Sequence, residues 1–138
     1  MNICSLILVF LLNYLPSNAL YSAEGKASFY ADRMHGQRTA SGERYDKTKL
    51  TAAHATLAFD THVRVTNRKN GKSVIVRIND RMPKSRLATI DLSRTAAQQI
   101  DLIQTGIAAV KLQELDAAEV AQQDAPADVS EVTLANKD

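Results

Sequence analysis

Glu43, His54 and Asp80 stand at loops or strand ends in three separate segments of the chain. Two carboxylates and an imidazole are the groups needed for acid–base cleavage of a glycosidic bond, in which one carboxyl must hold a proton for the leaving oxygen. Holding that proton at neutral pH takes burial or a neighbouring negative charge. Spacing along the chain does not by itself bring the three together, so the elements that carry them decide.

Asp80 lies near the end of residues 73–83, SVIVRINDRMP, which read as a strand. Val74, Val76 and Ile78 fall on one face, and Ser73, Ile75, Arg77 and Asn79 on the other. Pro83 has no N–H to give and marks the exit from the sheet. An acid at the mouth of such a strand is a place for a catalytic carboxylate. Taken alone, the Asn79-Asp80-Arg81 tripeptide reads more readily as a solvated acid paired with an arginine. The preceding strand, residues 61–67 (THVRVTN), alternates Val63 and Val65 with His62, Arg64 and Thr66. Asn70-Gly71 between the two is a hairpin signal.

Glu43 follows a polar loop, residues 32–42, punctuated by Gly36 and Gly42 and carrying Arg33, His35, Arg38, Thr39 and Ser41. Such a loop on a rigid scaffold suits the rim of a site; a plain connection ending in a capping acid explains it equally well. His54 ends Thr51-Ala52-Ala53-His54, and a lone histidine is more often a satisfied hydrogen-bonding group than a base. His35, His54 and His62 are spread over three segments with no second His or Cys at ligand spacing, so no metal site is expected, and no cofactor.

The other elements frame these segments. Residues 25–31 (GKASFYA) read as a first strand, with Ala27 and Phe29 on one face. Residues 46–50 suit one helical turn with Asp46 as its cap. Residues 93–100 suit a short helix with Ser93 as N-cap and Ala96, Ala97 and Ile100 inward. After Gly106, residues 107–115 read as a last strand with Val110 and Leu112 buried. The pattern is mainly β with two short helical pieces, in one domain of roughly 90 to 120 residues. A closed small barrel is the architecture that removes exposed strand edges.

At the N-terminus, residues 3–12 are apolar except for Ser5. A bilayer span needs about 20 such residues, so the run suits the hydrophobic region of a secretory signal. Ser17-Asn18-Ala19 supplies small residues for cleavage before Leu20, although no Lys or Arg precedes the run. Cys4, the only cysteine, lies inside this block, too early to be a lipid-attachment residue. A mature chain would therefore hold neither a disulfide framework nor a thiol nucleophile. The expected organisation is a signal peptide over residues 1–19, a domain over 24–115, and an acidic, disordered tail over 116–138. At most a frayed helix is expected near residues 117–123.

Charge divides along the same boundaries. Residues 20–115 carry 16 Lys and Arg against 9 Asp and Glu, a balance of +7, whereas residues 116–138 carry one Lys against 6 acids. A basic body suits an anionic partner: cell-wall glycan-peptide, acidic lipid or nucleic acid. An exported protein rarely meets nucleic acid, so the wall polymer is the expected partner.

The run GKASFYADRMHGQRTASGERYDKTKLTAAHATL, then VRVTNRKNGKSVIVRINDRMP, then IDLSRTAAQQI, closely resembles the rare lipoprotein A family of bacterial peptidoglycan lytic transglycosylases. The resemblance implies a six-stranded double-psi β-barrel with one or two short helices. The family's motifs match Thr39-Ala40-Ser41-Gly42-Glu43, Thr51 to His54, Asn79-Asp80-Arg81 and Ile90-Asp91-Leu92-Ser93. It implies Asp80, Glu43 and His54 as the residues of activity, with Asp80 as acid and then base. Glu43 would stabilise charge or share the proton, and His54 would orient a carboxylate. Tyr30, Arg38, Thr39, Ser41, Asn79 and Arg81 are the expected substrate contacts, and Glu43, His54 and Asp80 are expected to line one groove. The implied reaction cleaves the β-1,4 bond between N-acetylmuramic acid and N-acetylglucosamine without water, closing the C6 hydroxyl onto the anomeric carbon as a 1,6-anhydro end. The expected partner is peptidoglycan, including peptide-free strands, met by an exported monomer in the periplasm or envelope, with cell-division proteins as a further partner of the tail. A non-catalytic wall-binding or wall-loosening module is the alternative. The chain departs from the family at Phe29-Tyr30-Ala31, usually Trp-Tyr-Gly, and at Met82-Pro83, usually Gly-Pro.

Overall fold

The computed structural model describes residues 19–84 and 87–124. The expected signal segment through Asn18, Cys4 included, and the tail beyond Asp124 lie outside the described residues. Six strands form: β1 (Ser22–Phe29), β2 (Thr51–His54), β3 (His62–Asn67), β4 (Ser73–Asp80), β5 (Ile90–Leu92) and β6 (Ala108–Glu114). Helix α1 (Arg94–Gln99) follows β5, and α2 (Ala117–Asp124) follows β6. The strands close into a barrel in the order β1-β5-β2-β4-β3-β6, so each is paired on both sides and no edge is left open. The β1–β5 and β2–β4 pairs are parallel and the rest antiparallel. This is the expected six-stranded double-psi β-barrel.

Strand alternation builds the core. Val63 and Val65 of β3, Val76 and Ile78 of β4, and Val110 and Leu112 of β6 are all fully buried. Each such side chain contributes roughly 1.5–3 kcal/mol of transfer free energy. Helix α1 closes one side of the core with Ala96 and Ala97. Ser93 caps it as expected: its hydroxyl accepts from the Ala96 N–H at 3.3 Å and donates to the Lys49 carbonyl at 2.6 Å. The β3–β4 hairpin also forms as expected, through a connection in which Gly71 adopts φ +74.

Two local expectations need correction, and one strand carries no sequence signal. The first strand begins at Ser22 and ends at Phe29, because β1 pairs with β6 from Ser22 and its last pair with β5 is Phe29–Leu92. Residues 46–50 make no helix; the Asp46 carboxylate takes the Thr48 N–H and hydroxyl and holds an isolated turn. Residues 51–54, which show no alternation, form strand β2, buried at all four positions because β4 and β5 flank it. The tail helix spans Ala117–Asp124, with the Asp116 carboxylate accepting from the Glu119 N–H at 2.7 Å.

One irregularity decides where Asp80 points. Between β2 and β4, Ala52 pairs with Ile78 but Ala53 pairs with Asp80, so Asn79 is an extra, bulged residue. Strict alternation after Val74, Val76 and Ile78 would aim Asp80 into the core. The bulge turns it to the outer face, the re-aiming such irregularities produce.

Candidate active site

Asp80 is held from three directions. The Tyr30 hydroxyl donates to Oδ2 at 2.6 Å, while the N–H groups of Ala40 and Arg81 both donate to Oδ1 at 2.8 Å. Tyr30 is buried and stacked on Tyr45, with ring centroids 4.2 Å apart. Burial first, and then the adjoining Asp80 carboxylate, push its phenol far above the ordinary range, so it is a permanent donor. The Ala40 N–H is delivered by a small loop closed on itself. Thr39 N–H and hydroxyl both donate to the Glu43 carbonyl at 2.7 Å, and the Thr39 and Ser41 hydroxyls lie 3.0 Å apart. Arg38 donates to the Gly42 carbonyl at 3.1 Å, so its guanidinium supports the same loop.

Glu43 leaves that loop toward β4. Its carboxylate takes a two-pronged hydrogen bond from Arg77, at 2.7 and 2.8 Å, and a third from the Asn79 side chain at 3.2 Å. Arg77 also reaches Asp60 at 3.0 Å. These bonds, Arg77 foremost, hold the Glu43 carboxyl at about 2, so it stays ionised throughout the physiological range. Glu43, Arg77 and Asn79 line an open groove of about 620 Å³ whose wall includes Tyr45 and Lys49. Asp80 follows Asn79 directly, at the bulge.

His54 does not share that groove. It opens instead on a pocket of about 250 Å³ lined with Tyr21, Thr56, Pro83 and Lys84. The reason is alternation: Ala53 points outward with Asp80, and His54, the next residue, pairs with buried Ile90 and points the opposite way. Its Nδ1 accepts the N–H groups of Thr56 and Leu57, both at 3.1 Å, and Nε2 lies 3.4 Å from the Tyr21 hydroxyl. Two N–H donors on Nδ1 require the neutral ring, and burial, with Arg81 adding to it, lowers the imidazole pKa in agreement. The loop that His54 fixes leads to Phe59, whose ring lies 4.2 Å under the Arg81 guanidinium. Arg81 also donates to the His54 carbonyl at 3.3 Å.

Among the expected substrate contacts, Arg38, Ser41 and Arg81 reach the surface, whereas Tyr30, Thr39 and Asn79 are buried and act on Asp80, Glu43 or their loop. Met82, where the family usually has Gly, packs on Tyr30, Tyr45 and Ala53. Among the described residues no three His, Cys, Asp or Glu side chains converge as metal ligands. Residue types and spacing did not single out one further acid, Asp91. It is raised in pKa by burial first; the Ser28 hydroxyl works against this at 3.0 Å, and the nearby Asp80 charge adds to it. Its signal was an acid between two apolar residues in the Ile90-Asp91-Leu92-Ser93 motif.

A closed six-stranded barrel with two parallel pairs and a bulge presenting an acid defines a double-psi β-barrel with an outward-facing carboxylate site. The chain belongs to the lytic transglycolase family, whose pattern matches residues 22–112. It is 49% identical over 104 residues to the endolytic peptidoglycan transglycosylase RlpA of Neisseria meningitidis serogroup A, covering 74% of this chain and 44% of that protein. It is 50% identical over 105 residues to the RlpA protein of Pseudomonas aeruginosa strain PAO1, covering 75% of this chain and 31% of that protein. The chain thus spans less than half the length of these curated relatives. Among solved structures, apo expansin of Clavibacter michiganensis is similar at a TM-score of 0.58 and 18% identity, over 70% of this chain and 52% of that one. The Streptomyces papain inhibitor is similar at 0.57 and 20% identity, over 70% and 96%. At these identities the likeness is one of fold.

Proposed function

We propose that this domain is a peptidoglycan lytic transglycosylase. It cleaves the β-1,4 bond between N-acetylmuramic acid and N-acetylglucosamine and leaves 1,6-anhydro ends, in wall remodelling or cell separation. The observation that carries the reading is Asp80: a carboxylate turned outward by a bulge and fixed by the Tyr30 hydroxyl and two backbone N–H groups. It stands beside a groove with a permanently ionised Glu43, in a chain of the lytic transglycolase family.

Each side chain then has a part. Asp80 exchanges protons with the substrate: as the C6 hydroxyl closes on the anomeric carbon, its proton passes to the Asp80 carboxylate. Glu43, held at about 2, carries no proton to give; it fixes Arg77 and Asn79 on the groove floor and accepts hydrogen bonds from sugar hydroxyls. Arg38, Ser41 and Arg81 meet the glycan at the rim, and Tyr30, Thr39 and Asn79 serve from beneath. His54 acts at one remove, by holding the loop on which Arg81 rests. The protein works as an exported monomer in the periplasm or envelope, without a lipid on Cys4, on strands that include peptide-free ones. Its acidic tail is the segment available to cell-division proteins.

Digestion of purified sacculi tests the reading. The folded protein releases anhydro-muropeptides, and Asp80→Asn abolishes the release while keeping a cooperative unfolding transition. Sacculus binding that weakens with salt, without new anhydro ends, would establish the wall-binding alternative instead.

A further inference from the structure

Asp91 takes no part in the proton transfer at Asp80 or in sugar binding by Glu43, yet strand register places it in the same row as Asp80. Ala53 of β2 pairs with Asp80 on one side and with Asp91 on the other, and Asp91 pairs in turn with Ser28 of β1. Paired residues show their side chains on one face, so Ser28, Asp91, Ala53 and Asp80 form a single outer row across four strands. The adjoining rows, Ala27–Ile90–His54 and Phe29–Leu92–Ala52–Ile78, face inward. Strand spacing sets the Asp80 and Asp91 backbones about 10 Å apart, with only the Ala53 methyl between them. The stacked Tyr30 and Tyr45 rings pack on that methyl, and Tyr30 ends on Asp80.

The two acids are treated differently. Asp80 accepts three hydrogen bonds, from Tyr30, Ala40 and Arg81, on both of its oxygens. Asp91 accepts one, from the Ser28 hydroxyl. None of the ion pairs among the described residues includes it. The groups around it are the Ser28 hydroxyl, Asp80, and the phenols of Tyr30 and Tyr45. The nearest cation on α1, Arg94, is bound to Asp32 at 3.1 Å and donates its N–H to the Tyr45 hydroxyl. A desolvated carboxyl without a cation costs stability, and such a cost is commonly borne where the group does chemistry. Burial, with Asp80 adding to it, pushes the Asp91 carboxyl up. Paired acids whose surroundings separate them in this way divide into a proton holder and a proton acceptor.

We propose that Asp91 is a second catalytic carboxyl of this site, the acid that protonates the leaving glycosidic oxygen, with Asp80 as the base for the C6 hydroxyl. This rests on the transglycosylase reading. The Asp91 proton goes to the oxygen of N-acetylglucosamine as its bond to the anomeric carbon breaks. The C6 oxygen bonds to that carbon, and its proton goes to Asp80. No water is consumed; proton exchange with solvent then returns Asp91 to its acid form and Asp80 to its carboxylate.

Asp91→Asn and Asp91→Glu, compared on sacculi, test it. Asp91→Asn lowers kcat about 100-fold or more with KM within about twofold, the range for loss of a general acid. Its Tm does not fall, because Asn has the outline of the neutral acid, still accepts the Ser28 hydroxyl and leaves no cation unpaired, and Asp91→Glu keeps more activity than Asp91→Asn. Wild-type turnover in Asp91→Asn overturns the proposal, as does lost turnover accompanied by a Tm lower by several degrees. Carboxyl carbon NMR gives a readout independent of turnover: Asp91 titrates above the ordinary aspartate range, and its midpoint falls in Asp80→Asn. If the wild-type protein forms no anhydro ends, the functional reading fails, and this titration still decides whether the pair exists. An ordinary Asp91 midpoint, indifferent to Asp80, overturns the pairing.

Discussion

Replacing Tyr30 with Phe removes one atom, the oxygen that donates to Asp80 at 2.6 Å. The ring keeps its 4.2 Å stack on Tyr45, so the packing contribution to the change is near zero. A hydrogen bond to a charged acceptor contributes roughly 1.5–3 kcal/mol. Asp80 is half-buried and keeps two backbone donors, which points to the lower end, about 1.5 kcal/mol. For a domain of this size that lowers Tm by roughly 6–12 °C. The assay is a double-mutant cycle in urea using Tyr30→Phe, Asp80→Ala and the pair, with the slope unchanged throughout. The expected coupling is about 1.5 kcal/mol, together with a fall in kcat of about tenfold as Asp80 gains freedom. A coupling below about 0.5 kcal/mol would refute the claim that Tyr30 fixes Asp80.

Two further outcomes come from the same geometry. Arg77→Gln strips Glu43 of its two-pronged partner, and the Glu43 midpoint, read by carboxyl NMR, climbs from about 2 toward 4.5. Because the folded value is depressed, the pair's stability is present above 4.5 and is lost as pH falls through about 2. With the Glu43 side chain 45% exposed, the variant loses no more than about 1 kcal/mol at neutral pH. His54 has its folded pKa lowered from 6.5, so its contribution is full above that value and declines as pH drops through the folded one. Wild-type Tm therefore falls more steeply than that of His54→Asn between about pH 7 and pH 5, and parallel curves would dismiss the role given to Nδ1.

The barrel body was legible because alternation shows directly in residues 61–67 and 73–80, and Asn70-Gly71 announces their hairpin. Strand β2 was not, since Thr51-Ala52-Ala53-His54 is buried at every position and carries no period. The site divided in the same way. Glu43 and Asp80 could be picked as acids at a loop and a strand end, but the orientation of Asp80 depends on the Asn79 bulge, which no local residue preference announces. A triad of Glu43, His54 and Asp80 on one groove was the expectation that the family resemblance implied. The parity of Ala53 and His54 rules His54 out of the Glu43 groove and brings Asp91 to Asp80 instead. That relation joins residues far apart in sequence and exists only once the parallel β2–β4 pair and antiparallel β2–β5 pair have formed.

The central claim is cleavage without water, and digestion of sacculi in heavy-oxygen water reads it most directly. The predicted result is new 1,6-anhydro ends that carry no label, formed by the wild-type domain and not by Asp80→Asn. Labelled reducing ends, or an unaltered sacculus in the presence of correctly folded protein, would contradict it.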